Sequence, residues 1–600
     1  MARNLLQIIV LPVLLLAAAG GGRVEAQPEP ATAVVNVRVF DGSTVLPRAT
    51  VVFSGGKIAA VGAELAPPPG AEVIDGGGHT LLPGLIDCHT HSWGDALERA
   101  LVFGVTTQLD MFTDHGWAAA MRREQAASGV SSRADLFSAG TFATAPGGHG
   151  TQYGVPIPTL TRPAEAEAWV EARLAEGSDF IKAVLEDGSA FGSTIPTLSR
   201  ETAEAVIAAA KRRGRLAVVH VTTYDRAQQA LAAGASGLVH LFLDRPAEDG
   251  FARLAAEKGA FVVPTLVVLA GSTPTRAGAA LVEDARVAPF LTSPEVESLR
   301  AGFPRRSYRL ETAFESVRRL KGAGVPILAG SDAPNPGTAH GSALHRELEL
   351  LVEAGLTPVE ALAAATSVPA RIFGLADRGR IAPGLAADLL LVEGDPTTDI
   401  TATRAISRIW KRGQLRERPT PASAQEAAAP AAAKIEPGPV SDFDGGEPST
   451  SFGFRWVPTT DERMGGASTV EIRVVEGGAE ASAFSLAVEG EIRQGFPFPW
   501  AGAMFFPGNP PMTPVDVSAV KELVFWARGD AGSFRVMVLS GSVQRIPAEQ
   551  SFEVGETWRE VVLPLADFLG LDASAALGIV FTGGLAQGPF RFQIDGVRLR

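Results

Sequence analysis

Side chains that commonly bind metal ions stand at the ends of several short apolar runs in this chain. Residues two apart on an extended segment point to the same side, so the imidazoles of His89 and His91 can reach one ion. A single histidine that ends a strand is usually a packed residue. Four apolar runs that each end in a residue type that commonly binds metal ions are hard to attribute to packing. The pattern predicts a metal site formed by His89 and His91 after Leu85–Asp87, His220 ending Leu216–His220, His240 within Gly237–Leu241, and Asp332 after Pro326–Ala329.

Lys182 lies inside another apolar run, Phe180–Val184. A buried lysine near cations loses its proton easily, because desolvation and like charge both disfavour the ammonium form. The neutral amine can react with CO₂ to give a carbamate, and the two carbamate oxygens can bridge two metal ions. The alternative is an ammonium group that reaches the solvent or pairs with Glu186 or Asp187.

Two further residues are weaker candidates for contact with a substrate. His149 lies in the glycine-rich segment Gly147–Gly154, where it could bind a substrate carbonyl or carboxylate; the alternative is a flexible surface loop. Tyr224 follows His220 by four positions and could donate a hydrogen bond to a substrate, although a packed tyrosine explains it equally well. His340 and His345 could border the same site.

These residues need a scaffold that brings the ends of several strands together. Between Gly84 and Leu375, apolar strand candidates alternate with helical segments such as Pro163–Glu176 and Arg200–Arg213. This alternation predicts an α/β fold with a parallel sheet, and eight units favour a (β/α)₈ TIM barrel with its site at the carboxyl ends of the strands. A doubly wound open sheet is the alternative. The strand candidates are Leu85–Asp87, Val105–Asp110, Leu136–Gly140, Phe180–Val184, Leu216–His220, Gly237–Leu241, Phe261–Thr265 and Pro326–Ala329.

The ordered set of candidate ligands resembles that of the amidohydrolase superfamily, and the segments Pro83–Asp87, Ala365–Thr366 and Gly379–Leu389 agree with it. The detailed match is to the imidazolonepropionase-related branch, which includes exported dipeptidases. The resemblance covers residues 32–415. It implies that residues 84–376 form the metal-dependent barrel and that residues 32–83 and 377–415 together form a small composite β-sandwich.

The resemblance also implies a site with two divalent metal ions, for which zinc suits the histidine-rich ligands. One ion would be held by His89, His91 and Asp332 and the other by His220 and His240, with carboxylated Lys182 between them. A metal-bound hydroxide would attack a carbonyl, with Asp332 as the general base. Imidazolonepropionase itself is similar to a one-metal variant without the lysine, so Lys182 favours the two-metal branch.

The reaction implied by this resemblance is hydrolysis of an amide-type C–N bond in a small molecule, such as a dipeptide, an N-acyl amino acid or a cyclic amide. Hydrolysis of a lactone or another ester at the same site is an alternative. A surface binding protein with a relic barrel is the non-enzymatic alternative, although the complete ligand set speaks against it.

The amino terminus reads as a secretory signal that spans residues 1–26. Arg3 precedes the apolar segment Leu5–Ala19, and Val24–Ala26 offers the small side chains that a signal peptidase recognises. This pattern predicts export to the periplasm or the extracellular space; an uncleaved membrane anchor is the alternative.

The net charge of −13 argues against a nucleic-acid partner, and Cys88 is the single cysteine, so no internal disulfide can form.

After the barrel, residues 416–438 are rich in alanine and proline and are predicted to be a linker. Residues 439–600 carry short alternating runs between turn residues, which favours an all-β, jelly-roll-like sandwich. Asp461–Ser468, Trp526 and Gly555–Trp558 resemble the galactose-binding-type sandwich of complex I intermediate-associated proteins. The resemblance implies a carbohydrate or another ligand, for which Phe496–Trp500 is a candidate surface; a loop packed on its own core is the alternative. The sequence is compatible with association of the chain into a homo-oligomer.

Overall fold

The computed structural model describes residues 31–600 apart from residues 128–131, 152–156, 192–193, 304–307, 420–431, 462–466, 494–498, 510, 542–546 and 585. The predicted signal segment therefore lies outside the described residues, as do parts of the predicted linker and of Phe496–Trp500. Across the described ranges, no helix combines the length and the apolar character that crossing a membrane requires.

One mixed sheet combines strands from both ends of the first 416 residues. Its strands are β1 (Thr32–Phe40), β2 (Val45–Ser54), β3 (Lys57–Gly62), β4 (Glu72–Asp75), β5 (His79–Pro83), β13 (Leu389–Glu393), β14 (Ile406–Lys411) and β15 (Gln414–Arg416). Their order is β15-β14-β13-β5-β1-β2-β3, with β4 beside β1. Strand β13 runs antiparallel to β5 with Leu389 opposite Pro83, so the segments before and after the strand–helix region pair directly.

The strand–helix region lies between β5 and β13 in the chain. Its strands are β6 (Leu85–Thr90), β7 (Val105–Asp110), β8 (Asp135–Ser138), β9 (Ile181–Leu185), β10 (Ala217–Val221), β11 (Gly237–Val239) and β12 (Phe261–Val263). Its helices are α1 (Ala96–Val102), α2 (His115–Ala127), α3 (Ala166–Ala175), α4 (Arg200–Arg212), α5 (Tyr224–Ala232), α6 (Asp249–Glu257), α7 (Leu266–Leu269), α8 (Ser293–Arg300), α9 (Leu310–Gly322), α10 (Ser342–Glu353), α11 (Pro358–Ala364) and α12 (Ser367–Ile372).

Helix α4 illustrates how the local sequence sets these elements. The Ser199 side chain accepts a hydrogen bond from the Thr202 amide and so satisfies one of the donors that a helix start leaves unpaired. Lys211 and Arg212 lie in the last turn, where positive charge is favourable. Val206 and Ile207 are on the buried face, and the helix packs against β9 and β10.

All strands of this region pair in parallel, in two sheets with the orders β6-β7-β8 and β12-β11-β10-β9. Hydrogen bonds outside the strands connect the sheets. The Ala143 amide donates to Lys182, and the Val184 amide donates to Ala143, which links the segment after β8 to β9. The Cys88 amide donates to Ala329, which links β6 to the segment after α9.

The eighth predicted strand, Pro326–Ala329, is not a continuous strand. It contributes an isolated parallel bridge between Ile327 and Val262. Pro326 has no amide proton to donate, and the Ala329 amide bonds to Ala364 instead of to a neighbouring strand. An apolar run of four residues therefore overstated the regular pairing available to this segment.

The carboxyl-terminal region is all β. Two sheets share one hydrophobic cluster, in which the Phe525 and Phe581 ring centroids from opposite sheets lie 4.9 Å apart. The strands are β16 (Ala433–Lys434), β17 (Gly438–Ser441), β18 (Phe454–Thr460), β19 (Thr469–Glu476), β20 (Phe484–Ile492), β21 (Ala501–Phe506), β22 (Val515–Asp516), β23 (Glu522–Gly529), β24 (Gly532–Ser540), β25 (Ala548–Val554), β26 (Arg559–Pro564), β27 (Ala576–Thr582) and β28 (Gly588–Leu599).

The predicted linker, residues 416–438, is too long at both ends. Arg416 belongs to β15, and the Arg418 guanidinium donates to Val102 and stacks 3.6 Å from the centroid of the Phe290 ring. At the other end, β16 pairs in parallel with β22. Composition identified the low-complexity segment but did not show that its flanking residues find partners elsewhere in the chain.

Candidate metal centre

The carboxyl end of β6 and the segment after Ala329 bring three predicted ligands together. The Nε2 atoms of His89 and His91 lie 3.3 Å and 3.0 Å from Asp332 Oδ1. One ligand atom from each of the three residues lies within 4.8 Å of the others, which is close enough to hold a single ion. The backbone contributes to this arrangement, because the Asp332 amide donates to His89 O at 2.7 Å.

The two predicted histidine ligands from β10 and the end of β11 stand beside this triad. The ring centroids of His220 and His240 are 4.6 Å apart, and those of His89 and His240 are also 4.6 Å apart. His240 Nδ1 lies 3.9 Å from Asp332 Oδ2. The four predicted histidine ligands and Asp332 therefore converge from separate strand ends on one point.

Lys182 reaches the same place from β9. In the parallel pairing of β9 with β10, Lys182 is opposite Val218 and Val184 is opposite His220, so Lys182 and His220 share a face. The lysine is 2% exposed, and its Nζ lies 5.4 Å from the centroid of the Phe142 ring. Burial lowers the pKa of Lys182 to about 8, although Asp332 and Asp110 oppose the shift.

Polar atoms of the predicted ligands lack the partners that buried polar atoms normally have. Both ring nitrogens of His89, Nε2 of His220 and Oδ1 of Asp332 are buried and have no hydrogen-bond partner among the described residues. Burial also lowers the pKa of His89, His220 and His240 well below the ordinary value, so the imidazoles are neutral and offer lone pairs. Leaving such atoms unpaired costs about 1–3 kcal/mol each, and a bound cation would supply the missing partner. The residues therefore fit a metal ion.

The backbone is strained around the same point. His240, Thr265 and Asp332 have φ angles of 70°, 50° and 57°, in the left-handed region that non-glycine residues rarely adopt. Such conformations cost about 1–3 kcal/mol each and persist where the surrounding structure enforces them, often at functional sites. The three positions follow β11, β12 and the Pro326–Ala329 segment.

Asp87 is a buried acid that the sequence interpretation treated only as part of a strand. Its Oδ1 accepts hydrogen bonds from the Ser331 amide at 2.9 Å and the His89 amide at 3.2 Å, and its Oδ2 accepts from the Ser331 hydroxyl at 2.6 Å. Burial raises its pKa to about 7. Asp87 thus fixes the backbone beside two predicted ligands, His89 and Asp332. A charged residue inside an apolar run was the available signal.

Asp110 has a similar role behind His91. Its carboxylate accepts from the Ser92 amide at 2.7 Å and the Ser138 hydroxyl at 2.6 Å, which ties together the ends of β6, β7 and β8. Burial raises the pKa of Asp110 to about 6. Asp110 is the last residue of a predicted strand, and nothing in the sequence indicated that it would connect neighbouring strand ends.

The weaker candidates are found in different surroundings. The His149 ring stacks on His220 at 4.7 Å, so His149 lies beside the ligand cluster. The Tyr224 ring packs against Phe242 and Phe251, with the Arg245 guanidinium 3.9 Å from its centroid. Substrate contact by His149 or Tyr224 stays a prediction.

His340 and His345 are both buried histidines on the segment after Asp332. His340 Nδ1 contacts Gln108 at 3.2 Å. Both ring nitrogens of His345 are hydrogen-bonded, to Thr403 at 3.0 Å and to Phe103 O at 2.9 Å. These contacts describe His345 as a packed core histidine.

Glu186 and Asp187, the alternative partners of Lys182, make other contacts. Glu186 is buried, accepts hydrogen bonds from Thr222 and from the Gly188 amide, and lies 3.7 Å from His220 Nε2. Asp187 pairs with Arg226 at 2.8 Å. Glu186 therefore borders the ligand cluster at His220.

Family models match both parts of the chain. Residues 80–416 match the amidohydrolase family, and residues 442–574 match Complex I intermediate-associated protein 30 (CIA30). The chain belongs to the amidohydrolase family. The predicted resemblance, to this superfamily and to a CIA30-like carboxyl-terminal domain, is confirmed.

The chain is similar to the imidazolonepropionases of two bacteria, and the similarity covers most of the length of each relative. The Cereibacter sphaeroides protein is 30% identical over 416 residues, which cover 61% of this chain and 94% of the relative. The Deinococcus radiodurans protein is 28% identical over 409 residues, which cover 64% of this chain and 95% of the relative.

Solved structures give the same picture. A Xaa-Pro dipeptidase with bound methionine is 25% identical with a TM-score of 0.52, covering 64% of this chain and all of the other. A putative prolidase from Bifidobacterium longum is 25% identical with a TM-score of 0.53, covering 67% of this chain and all of the other. The likeness implies a TIM barrel, followed here by an all-β carboxyl-terminal region. The protein is a hydrolase that acts on carbon–nitrogen bonds of a small-molecule substrate.

Proposed function

We propose that this chain is a metal-dependent hydrolase that cleaves an amide-type C–N bond in a dipeptide, an N-acyl amino acid or a cyclic amide. The observation that carries the proposal is the convergence of buried ligand atoms without hydrogen-bond partners on His89, His220 and Asp332. Similarity to a dipeptidase and to a putative prolidase supports a dipeptide as the first substrate class to test.

Two divalent ions, zinc in our proposal, would occupy the site. His89, His91 and Asp332 would hold one ion, and His220 and His240 the other. Lys182 would join them as a carbamate, which the burial of its amine and the lowered pKa of about 8 support. When bound, such ions supply Lewis acidity that polarises a substrate carbonyl and allows water to act as a nucleophile at neutral pH.

The protein's own groups would orient the substrate and move the proton. Asp332 would accept a proton from the attacking water and return it to the leaving nitrogen, as a general base and then a general acid. His91 Nε2 lies 3.0 Å from Asp332 Oδ1, so both atoms would reach the same ion. The Phe112 and Phe142 rings, with centroids 4.5 Å apart, line the side near His91 and His149 and would exclude water.

The remaining architecture forms part of the proposal. Residues 84–376 would close as a (β/α)₈ barrel, supported by the bridges from Ala143 and Ala329 to neighbouring strands. Residues 32–83 and 377–415 would form the composite sandwich, and residues 439–600 a galactose-binding-type, jelly-roll-like sandwich with a carbohydrate or another ligand.

Export is proposed from the order of residues 1–26. The mature protein is expected in the periplasm or outside the cell and should begin at Gln27. Amino-terminal sequencing of the protein recovered from that fraction tests this, and an intact Met1 terminus in the membrane fraction would overturn it.

Elemental analysis together with an assay on dipeptides, N-acyl amino acids and lactones tests the site. Purified protein should contain two divalent ions. Lys182→Ala should contain one ion and lose at least the roughly 10–100-fold in turnover that loss of an outer-shell partner costs, because it removes a proposed ligand. Asp332→Asn should retain metal while turnover falls about 10²–10⁴-fold, because it removes the proton acceptor but leaves a ligand oxygen.

Lys211→Ala, an exposed lysine on α4, is the matched control and should keep both metal and activity. A single ion in both wild type and Lys182→Ala, with activity retained in the variant, would contradict the two-metal mechanism. Faster turnover of lactones than of every amide would contradict the C–N preference.

A further inference from the structure

Glu347 on α10 is a buried acid that the proposed chemistry does not use. Its side chain is 0% exposed and lies among the apolar residues of that helix. Its Oε2 accepts a hydrogen bond from the Val267 amide at 2.8 Å, and its Oε1 has no partner among the described residues. Burying a carboxyl group without hydrogen bonds costs free energy, and the contact with Val267 satisfies one of its two oxygens.

Val267 belongs to the short helix α7, which packs against α10 and begins directly after Thr265. Thr265 is a β-branched residue with a φ angle of 50°, where its side chain clashes with its own backbone. The surrounding structure must therefore hold this conformation. Glu347 contacts the segment directly after Thr265, because its Oε2 accepts from the Val267 amide in the first turn of α7.

Thr265 in turn contacts a proposed ligand. Its Oγ1 lies 2.8 Å from His240 Nδ1. A hydrogen bond at one ring nitrogen fixes the ring orientation and the tautomer, and so leaves the other nitrogen, Nε2, available for a metal ion. The left-handed conformation of Thr265 directs the chain from β12 into α7 and places the hydroxyl at this distance.

We propose that Glu347 is a positioning residue for the metal centre, acting through the α7 amides and the Thr265 hydroxyl on His240. The inference rests on the proposed metal site. Glu347 lies on α10 and would act only through other residues on His240, a proposed ligand of the second ion.

Metal affinity of the intact protein tests this proposal. Glu347→Leu removes both acceptor oxygens at similar volume, and the dissociation constant of the ion held by His220 and His240 should rise about 10–100-fold. The ion at His89, His91 and Asp332 should stay bound. Glu347→Gln keeps one acceptor oxygen, so its loss of affinity should be smaller than the roughly 10-fold minimum expected for Glu347→Leu. Glu353→Gln, an exposed acid on the same helix, is the control and should leave affinity unchanged.

Variants at the intermediate position make the test specific. Thr265→Val removes the hydroxyl and should weaken the same ion, whereas Thr265→Ser should retain it. The double variant Glu347→Leu/Thr265→Val should lose no more affinity than the weaker-binding single variant, because both act on one contact. These Thr265 variants also decide the question if Glu347→Leu does not fold.

Wild-type affinity for both ions in folded Glu347→Leu, or in Thr265→Val, would overturn the positioning role. Additive losses in the double variant would do the same. His240→Ala separates this failure from failure of the proposed function: if His240→Ala keeps both ions at wild-type affinity, the ligand assignment itself is wrong.

Discussion

The two ends of the parallel strands both bury charged groups, but they treat them differently. At the amino end, Lys411 Nζ lies 2.7 Å from Asp135 and 2.6 Å from Asp388, and Arg378 lies 2.6 Å from Asp135. At the carboxyl end, ligand atoms of His89 and Asp332 have no hydrogen-bond partner among the described residues. Burial of charge is common to both ends, so it is the missing partners that distinguish the functional end.

The same difference between the two ends appears in the pKa values of their buried acids. Burial alone would raise the pKa of Asp135, but Lys411 and Arg378 outweigh it and hold the pKa below the ordinary value. Toward the carboxyl end, burial raises the pKa of Asp87 to about 7 and that of Glu347 to about 8. The two groups of acids should therefore make opposite contributions to the pH dependence of stability.

Breaking the amino-end cluster should have the largest effect on stability. Lys411→Met leaves the carboxylates of Asp135 and Asp388 buried with one cation fewer, and should lower the free energy of unfolding by about 3–5 kcal/mol. Urea denaturation measures this. The metal content of the folded fraction should not change, because the cluster lies at the opposite end from the ligands.

Lys321→Met is the matched control, because Lys321 pairs with Glu360 at the surface; it should cost less than about 1 kcal/mol. If Lys411→Met instead lost metal while keeping its stability, the separation between a structural and a functional end would be wrong.

A smaller effect should sharpen the contrast at the carboxyl end. Between the ordinary pKa of 4.5 and the folded-state pKa of about 8, folded Glu347 keeps a proton that the unfolded chain releases. The free energy of unfolding should therefore fall as pH rises through this window, by up to about 1.4 kcal/mol per pH unit for this group. Glu347→Gln should remove that part of the slope.

Urea denaturation at a series of pH values from about 5 to 8 provides the measurement. Glu353→Gln, which changes an exposed acid on the same helix, should keep the wild-type slope. An unchanged slope in Glu347→Gln would mean that this carboxyl group ionises in the folded protein as it does in water.

The strand ends and their ligands were predictable because the signals are local. The run Val105–Asp110 coincides with β7, and His89 and His91 follow an apolar run within a few residues. Convergence of the ligands then required only that parallel strands share a carboxyl end. The eighth strand is reduced to an isolated bridge because Pro326 has no amide proton and the Ala329 amide bonds to Ala364 instead, and the second of these contacts cannot be read from apolar character.

The contacts that support the ligands were not predictable in the same way. Lys411 meets Asp135, and Glu347 meets Val267, across long separations in sequence. An apolar run indicates that a residue is buried, but it does not indicate which distant group will be its partner. The left-handed conformation of Thr265 likewise depends on tertiary contacts, since threonine has no local preference for it.

The order in which the chain is synthesised decides when β5 can pair with β13. Proteins leave the ribosome amino terminus first, so β5 is made early, and its partner follows only after the whole strand–helix region. Until then the edge of β5 that will receive β13 has open hydrogen-bonding groups. Because β13 follows the strand–helix region in the chain, this pairing can form only after every metal-ligand candidate has been synthesised, and such long-range pairing is slow to form.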